Sequence, residues 1–536
     1  MAEETELSKG IRKRIFWLQD ERHEFLDPKQ ASVIFRFKTW YIILMIFFMA
    51  FVLRMPLVLY PEVVHNDSIE YIRHAKEILN GNWTGGIASP VFPAFISFVA
   101  LLTKNFELAG IWVSVIFGAL LVLPVFSLAR AIFNEKIGIL SALLAAVHPF
   151  LYVYSGSILT ESTYYFLLTT SVYFGWEAFR EGRIRNIFLF GLFSALAYLV
   201  RPEGIGLVFV FSLWVLLIQP PVSKRSFTKR VGIILLAVFC FLAFTSPYLI
   251  QLKKETGTWG ISKKASLTVK AFSEEERDVP VRLGRGGLKI TLDSFVKNPL
   301  PFLGRVGVGF LESLYRFQQV YHPLLFILAV FGWVGVLKHR AGSDLKGNFY
   351  ILSHHIFFFG LVLPFFWVER RYVSQMVAMS LPWAAFGCLE MRDWVGKWFA
   401  REPLIKRISL IAFLILLSGM FIQGSVKYFK PHQRLIRKEA GLWMKANLPC
   451  GGKIMSRLPQ EAFYAELEWS GIPRGSYEEI LRTARTKGIQ YLIIDGNIDE
   501  TSPGFLENIK ETDLVLVKKL KRKSQKMTIF KVVYSE

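Results

Sequence analysis

Four short stretches of this chain place acids and cations where apolar runs end. The first is His65-Asn66-Asp67, closely followed by Tyr71, a few residues past the apolar run 41–60. The second is Glu161, in Ser155-Gly-Ser-Ile-Leu-Thr160-Glu161-Ser, between two further apolar runs. Arg201-Pro202-Glu203-Gly204 and Glu369-Arg370-Arg371-Tyr372 are the third and fourth. A carboxylate at the mouth of a membrane span is costly unless it is wet, paired or functional. Asp67 is a candidate base for a hydroxyl proton. Arg201, Arg370 and Arg371 carry planar guanidinium forks that match phosphate oxygens. These groups can share one site only if all four junctions lie on one side of a membrane.

The elements that must position them are helical spans. Of 536 residues, 53% are hydrophobic and 48 are Phe, and the mean hydropathy is +0.37. Repeated apolar runs near span length make this a polytopic, all-α membrane protein. The pattern predicts about eleven spans, near 39–59, 108–130, 137–156, 162–179, 186–200, 204–219, 231–250, 322–337, 350–367, 373–390 and 408–426. The run 90–102 is too short to cross and suits an interfacial or re-entrant helix. The first 38 residues, with eight basic and seven acidic side chains, are not a signal peptide and form a cytoplasmic segment, 1–38.

Charge sets the orientation. With the N-terminus inside, the inner loops and their edges hold 17 Lys or Arg, and the short outer loops hold six. That bias favours a cytoplasmic N-terminus and an exported C-terminus, and puts Asp67, Glu161, Glu203 and Glu369 on the outer face. The net charge of +22 then belongs to cytoplasmic loops and anionic membrane lipids, not to nucleic acid.

The domain plan is a transmembrane unit, 39–426, with outer loops 60–107 and 251–321, followed by a small soluble α/β unit, 427–536. In loop 251–321 the basic, Gly-rich Arg282-Leu-Gly-Arg285-Gly-Gly stands among short interfacial helices. In the C-terminal unit, 432–448 reads as an amphipathic helix, 476–487 as a helix with a Ser476/Glu479 capping box, and 491–495 and 527–534 as strands. Cys240, Cys388 and Cys450 imply no disulfide framework.

The ordered series of Asp67, Pro90-Val-Phe-Pro93, His148-Pro149-Phe, Tyr154-Ser-Gly, Thr160-Glu161, Arg201-Pro-Glu203 and Glu369-Arg-Arg-Tyr372 resembles a known superfamily. It is similar to bacterial relatives of the dolichyl-phosphate-mannose protein mannosyltransferases and of the lipid A aminoarabinose transferases, membrane glycosyltransferases of the GT-C fold. The resemblance covers about residues 39–390. It implies transfer of a sugar from a polyprenyl-phosphate-linked donor to a lipid, glycan or protein acceptor, with inversion at the anomeric carbon. Relatives that use a divalent ion carry paired acids near the catalytic aspartate, where this chain has His65-Asn66-Asp67. A metal-independent reaction with no cofactor is the expectation.

Each candidate also has a plainer reading. Asp67 could be a solvated loop acid, and Glu161 could cap the helix that follows. Arg201 and Glu203 could pair across a proline turn, and the 369–371 cluster could anchor a span at the interface. His65 could make a local hydrogen bond instead of ligating a metal. Lys104, and Tyr321 with His322, are candidate headgroup contacts. A transporter or flippase would place ionisable groups deep within broken spans, and a non-catalytic scaffold would display only the C-terminal unit.

Overall fold

The computed structural model describes residues 28–61, 63–83, 86, 88–220, 224–263, 299–338, 344–365, 368–399, 402–429, 435–449, 451–500, 502–523 and 525–534. Residues 1–27, the Arg282–Gly287 patch, His432 and Cys450 lie outside the described residues.

The chain opens with α1 (Pro28–Leu59), α2 (Asn66–Leu79), α3 (Val91–Thr103), α4 (Phe106–Leu120) and α5 (Val122–Ile132). There follow α6 (Glu135–Val147), α7 (Pro149–Ser155), α8 (Glu161–Glu181), α9 (Ile184–Val200), α10 (Ile205–Leu217) and α11 (Phe227–Thr256). The second half of the bundle is α12 (Pro299–Tyr321), α13 (Pro323–Lys338), α14 (Leu345–Ile356), α15 (Arg370–Val373), α16 (Val377–Phe399) and α17 (Glu402–Phe429). One continuous apolar core runs from Ile43 to Tyr464.

Among the described residues four helices are long and apolar enough to cross a membrane, or up to six if each bent pair is one crossing. The other expected spans fall on helices that fail this test for physical reasons. α9 and α10 are short. α8 is long but carries Ser, Thr and Tyr, which its burial inside the bundle permits because neighbouring helices shield them from lipid. The expected span 350–367 starts as α14, then widens into a π-helical turn, Phe357–Val362, and tightens at Leu363–Phe365, where Pro364 interrupts the ladder.

Two breaks shape the site end of the bundle. α6 and α7 meet at 54° across His148-Pro149. Carbonyls at that break need donors, and Arg54 Nη1 supplies one to the Ala146 oxygen at 2.9 Å while its Nε donates to Ser155 Oγ at 3.0 Å. α12 and α13 meet at 110°, with His322 left-handed at φ 76° just before Pro323. Of the loop 251–321 expected to carry short interfacial helices, 299–321 form one helix of 23 residues, and 264–298 lie outside the described residues.

The chain ends in a small α/β unit of α18 (Leu435–Asn447), β1 (Lys453–Ser456), α19 (Gln460–Ala465), β2 (Glu468–Gly471), α20 (Tyr477–Thr486), β3 (Tyr491–Asp495), β4 (Leu514–Arg522) and β5 (Gln525–Val532). Its sheet order is β2-β1-β3-β5-β4, parallel through β2-β1-β3 and antiparallel through β5 and β4. Sequence patterning found two of these five strands. The Ser476/Glu479 capping box of α20 is present as expected.

Candidate active site

α2 begins at Asn66, so Asp67 stands in its first turn, where an acid suits the helix dipole. The helix is fixed to the bundle by Ser68, whose Oγ donates to the Ile158 carbonyl at 2.8 Å. Glu161 opens α8, and Arg201 ends α9 in an extended conformation before the Pro202–Gly204 turn. Arg371 lies in α15, and Ser374, which follows that helix, donates back to the Arg371 carbonyl at 2.6 Å.

All four junctions meet at one end of the bundle. Arg371 Nη2 donates to Asp67 Oδ2 at 2.8 Å, and its Nε lies 3.7 Å from Glu161 Oε1. Arg201 Nη1 donates to the same Glu161 oxygen at 3.2 Å, and its Nη2 reaches Glu203 at 3.5 Å. The result is an alternating series, Asp67, Arg371, Glu161, Arg201, Glu203. Two guanidinium groups hold three carboxylates.

Aromatic rings close around the series. The Arg201 guanidinium lies 5.5 Å from the Tyr164 ring centroid and 5.4 Å from that of Tyr372, and Arg371 lies 5.1 Å from Tyr372. Tyr71 packs edge-on against Phe92 at 5.2 Å. Burial, with Asp67 and Glu161 nearby, pushes its phenol well above the ordinary value, so it stands as a neutral hydroxyl.

Access separates the two catalytic candidates. The Asp67 side chain is 33% exposed and the Glu161 side chain 1%. Glu161 Oε2 is buried with no hydrogen-bond partner among the described residues.

The remaining candidates fall around this centre. His65 precedes α2 and its N–H donates to Ser68 Oγ at 3.1 Å. The Glu369 carbonyl accepts the N–H of Tyr372 at 3.0 Å at the start of α15. Arg370 turns away from Arg371, its Nε donating to Gln319 at 3.1 Å. Lys104 ends α3 with φ 53°, and no described contact ties it to the carboxylates. Tyr321 is buried, its hydroxyl donating to the Ser380 carbonyl at 2.6 Å, so its polar atom is spent inside the bundle. Among the described residues no three His, Cys, Asp or Glu side chains gather as a metal site would require.

Sequence reasoning missed several neighbours. Lys427, at the same end of α17, lies 3.4 Å from the Phe150 ring centroid and within electrostatic range of Arg370. Tyr165, inside α8, bonds Ser374. Lys427 ends an apolar run, a signal open to the same rule that found Arg371; Tyr165 gave none.

Residues 88–250 match the family model described as dolichyl-phosphate-mannose-protein mannosyltransferase. No curated protein matches the chain in sequence. Among solved structures, the apo oligosaccharyltransferase of Archaeoglobus fulgidus matches at TM-score 0.60 and 14% identity, over 86% of this chain and 70% of that one. ArnT from Cupriavidus metallidurans, bound to undecaprenyl phosphate, matches at 0.57 and 12%, over 94% of this chain and 98% of ArnT. The mycobacterial arabinofuranosyltransferase AftD matches at 0.51 and 14%, over 92% of this chain but only 42% of AftD. Identities this low speak for the fold alone. In sequence over residues 88–250 and in structure over most of its length, the chain is similar to membrane glycosyltransferases, and its fold is GT-C.

Proposed function

We propose that this protein transfers a sugar from a polyprenyl-phosphate-linked donor to a hydroxyl of a lipid, glycan or protein acceptor. The reaction takes place at the outer face of the cytoplasmic membrane, within a multi-pass membrane protein. The observation that carries the reading is the Asp67–Arg371–Glu161–Arg201 series, in which Asp67 alone of the first two acids is open to an incoming acceptor.

In the proposed step Asp67 takes the acceptor's O–H proton as that oxygen bonds to the anomeric carbon. The bond from that carbon to the phosphate oxygen breaks, its electron pair leaves with the phosphate, and the configuration inverts. Arg371 holds Asp67 in place, and Glu161 fixes Arg371 and Arg201 from beneath. The unpartnered Glu161 Oε2 offers a place for a sugar or acceptor hydroxyl. Tyr71 and Tyr372 line the approach. Both acids face guanidinium groups, a pairing that favours a metal-independent route.

Charge gathering on the leaving phosphate needs cations that are not already committed. Arg371 and Arg201 are bonded to carboxylates, which moves the donor role to Arg370 and Lys427. No carboxylate pairs with Lys427 among the described residues. A Lys427→Ala/Arg370→Ala variant should weaken binding of a labelled polyprenyl-phosphate sugar at least tenfold, while Arg370→Lys falls between because it loses the fork. Undiminished binding by the double variant would move the phosphate to Arg201. The activity itself is tested by mass spectrometry of envelope lipids, glycans and exported proteins from cells with and without this chain. A sugar that disappears names the acceptor, and an unchanged envelope counts against transfer.

A further inference from the structure

The C-terminal unit reaches into the candidate site through two side chains of α19. Gln460 Nε2 donates to the Val64 carbonyl at 3.3 Å and to Asn66 Oδ1 at 2.8 Å. Tyr464, one helical turn on, accepts the Val64 N–H at 3.2 Å and donates to Glu107 Oε1 at 2.9 Å. Lys438 of α18 bonds the same Glu107 oxygen at 3.0 Å. Val64 to Asn66 lead directly into α2 and Asp67, so nearly four hundred residues of chain separate these partners.

α19 is a firm platform for this contact. Glu461 is fully buried and pairs with Arg437 of α18, which also pairs with Asp495 of β3. Arg457 adds a second bond to Asp495 at 3.0 Å. Burial pushes the Glu461 carboxyl up to about 7 despite Arg437. Gln460 is 1% exposed, and its Oε1 has no hydrogen-bond partner among the described residues. Its two donated bonds are therefore its polar role.

We infer that α19, through Gln460 and Tyr464, is a positioning element that sets the start of α2, and so the Asp67 carboxylate, against Arg371. The C-terminal unit is then part of the catalytic geometry and not a passenger. This inference rests on the proposed role of Asp67. Misplacing a reacting group by about 1 Å costs up to about 10²-fold in rate. Loosening one of its two anchors, with Ser68 still bonded to Ile158, should cost about tenfold.

Gln460→Met keeps volume and chain length while removing both donors, and Tyr464→Phe removes one hydroxyl without a cavity. In the full-length chain, Gln460→Met should lower kcat about tenfold and leave KM for donor unchanged. Amide exchange over residues 64–69 should quicken in the same variant. Asn66→Ala/Gln460→Met should be little worse than either alone, because both remove one joint. Wild-type kcat and exchange in Gln460→Met and Tyr464→Phe, beside an inactive Asp67→Asn, would overturn the inference alone. An active Asp67→Asn would overturn the base assignment and the inference with it.

Discussion

Asp67 and Glu161 share Arg371 yet are built for different work. Asp67 is partly exposed and pairs with Arg371; Glu161 is sealed and serves both arginines. Asp67→Asn keeps shape but cannot take a proton, so transfer should fall about 10²–10⁴-fold with donor binding intact. Rates in membranes at matched protein levels, with binding measured separately, check this. Equal loss of rate and binding would make Asp67 a donor-positioning group. These charged residues were legible in sequence because each ends an apolar run, where a charge is expensive. Which of the two adjacent arginines serves a carboxylate was not legible, since Arg370 bonds Gln319 and Arg371 bonds Asp67. Tyr321 misled for a related reason: at a span end its hydroxyl looked available, but the fold spends it on Ser380.

At the scale of elements, two helix contacts make opposite predictions for one kind of substitution. A Cβ on Gly387 of α16 would come within 1.7 Å of the Leu328 carbonyl oxygen of α13, and one on Gly332 within 2.1 Å of the Trp383 oxygen. Only glycine lets these backbones touch, as at small-residue interfaces in membranes. Gly396, farther along α16, has nothing among the described residues within 4 Å of such a carbon. Gly387→Ala should therefore destabilise the bundle by about 1–3 kcal/mol, and Gly396→Ala should stabilise it by about 0.5–1 kcal/mol. Thermal unfolding in detergent reads both signs.

The loop after α2 has a pH response of its own. The His74 Nε2 pairs with the Trp83 carbonyl at 2.9 Å, which requires a proton there, while Nδ1 is buried with no hydrogen-bond partner among the described residues. Burial holds this imidazole below its ordinary value of 6.5, outweighing the carbonyl contact. The folded state thus favours the neutral ring. Its contribution is intact above about pH 6.5 and is lost as pH falls through the lowered value. Amide exchange at residues 80–83 should quicken on acidification below 6.5, and His74→Gln should remove that dependence. The sequence showed α3 as a short element but left α2 within an outer loop, and it held no sign of this lock, which forms only when Trp83 folds back on α2.

For the molecule as a whole, the open variable is which way the bundle faces. The ends differ chemically. One gathers Asp67, Glu161, Arg201 and Arg371 beside the C-terminal unit. The other is tied by Thr39 to Glu135, by the Asp344 N–H to the Ile132 carbonyl, by Lys346 to the Gln219 carbonyl and by Arg225 to the Phe179 carbonyl. Arg225 and Lys346, two of the basic residues counted as inner in the sequence, stand at that second end, and cations are retained on the cytoplasmic side. The folded bundle links the four acidic junctions whatever its orientation, so orientation decides on which side the proposed reaction would run. A polyprenyl-phosphate sugar is reached at the leaflet in which its headgroup sits. An enzyme reporter that works only outside the membrane, fused after Glu536, should be active, and the same reporter placed before Pro28 should be silent. The reverse pattern would put Asp67 and the C-terminal unit in the cytoplasm. The arginines and the base could still act there, but on a donor and acceptor presented from inside.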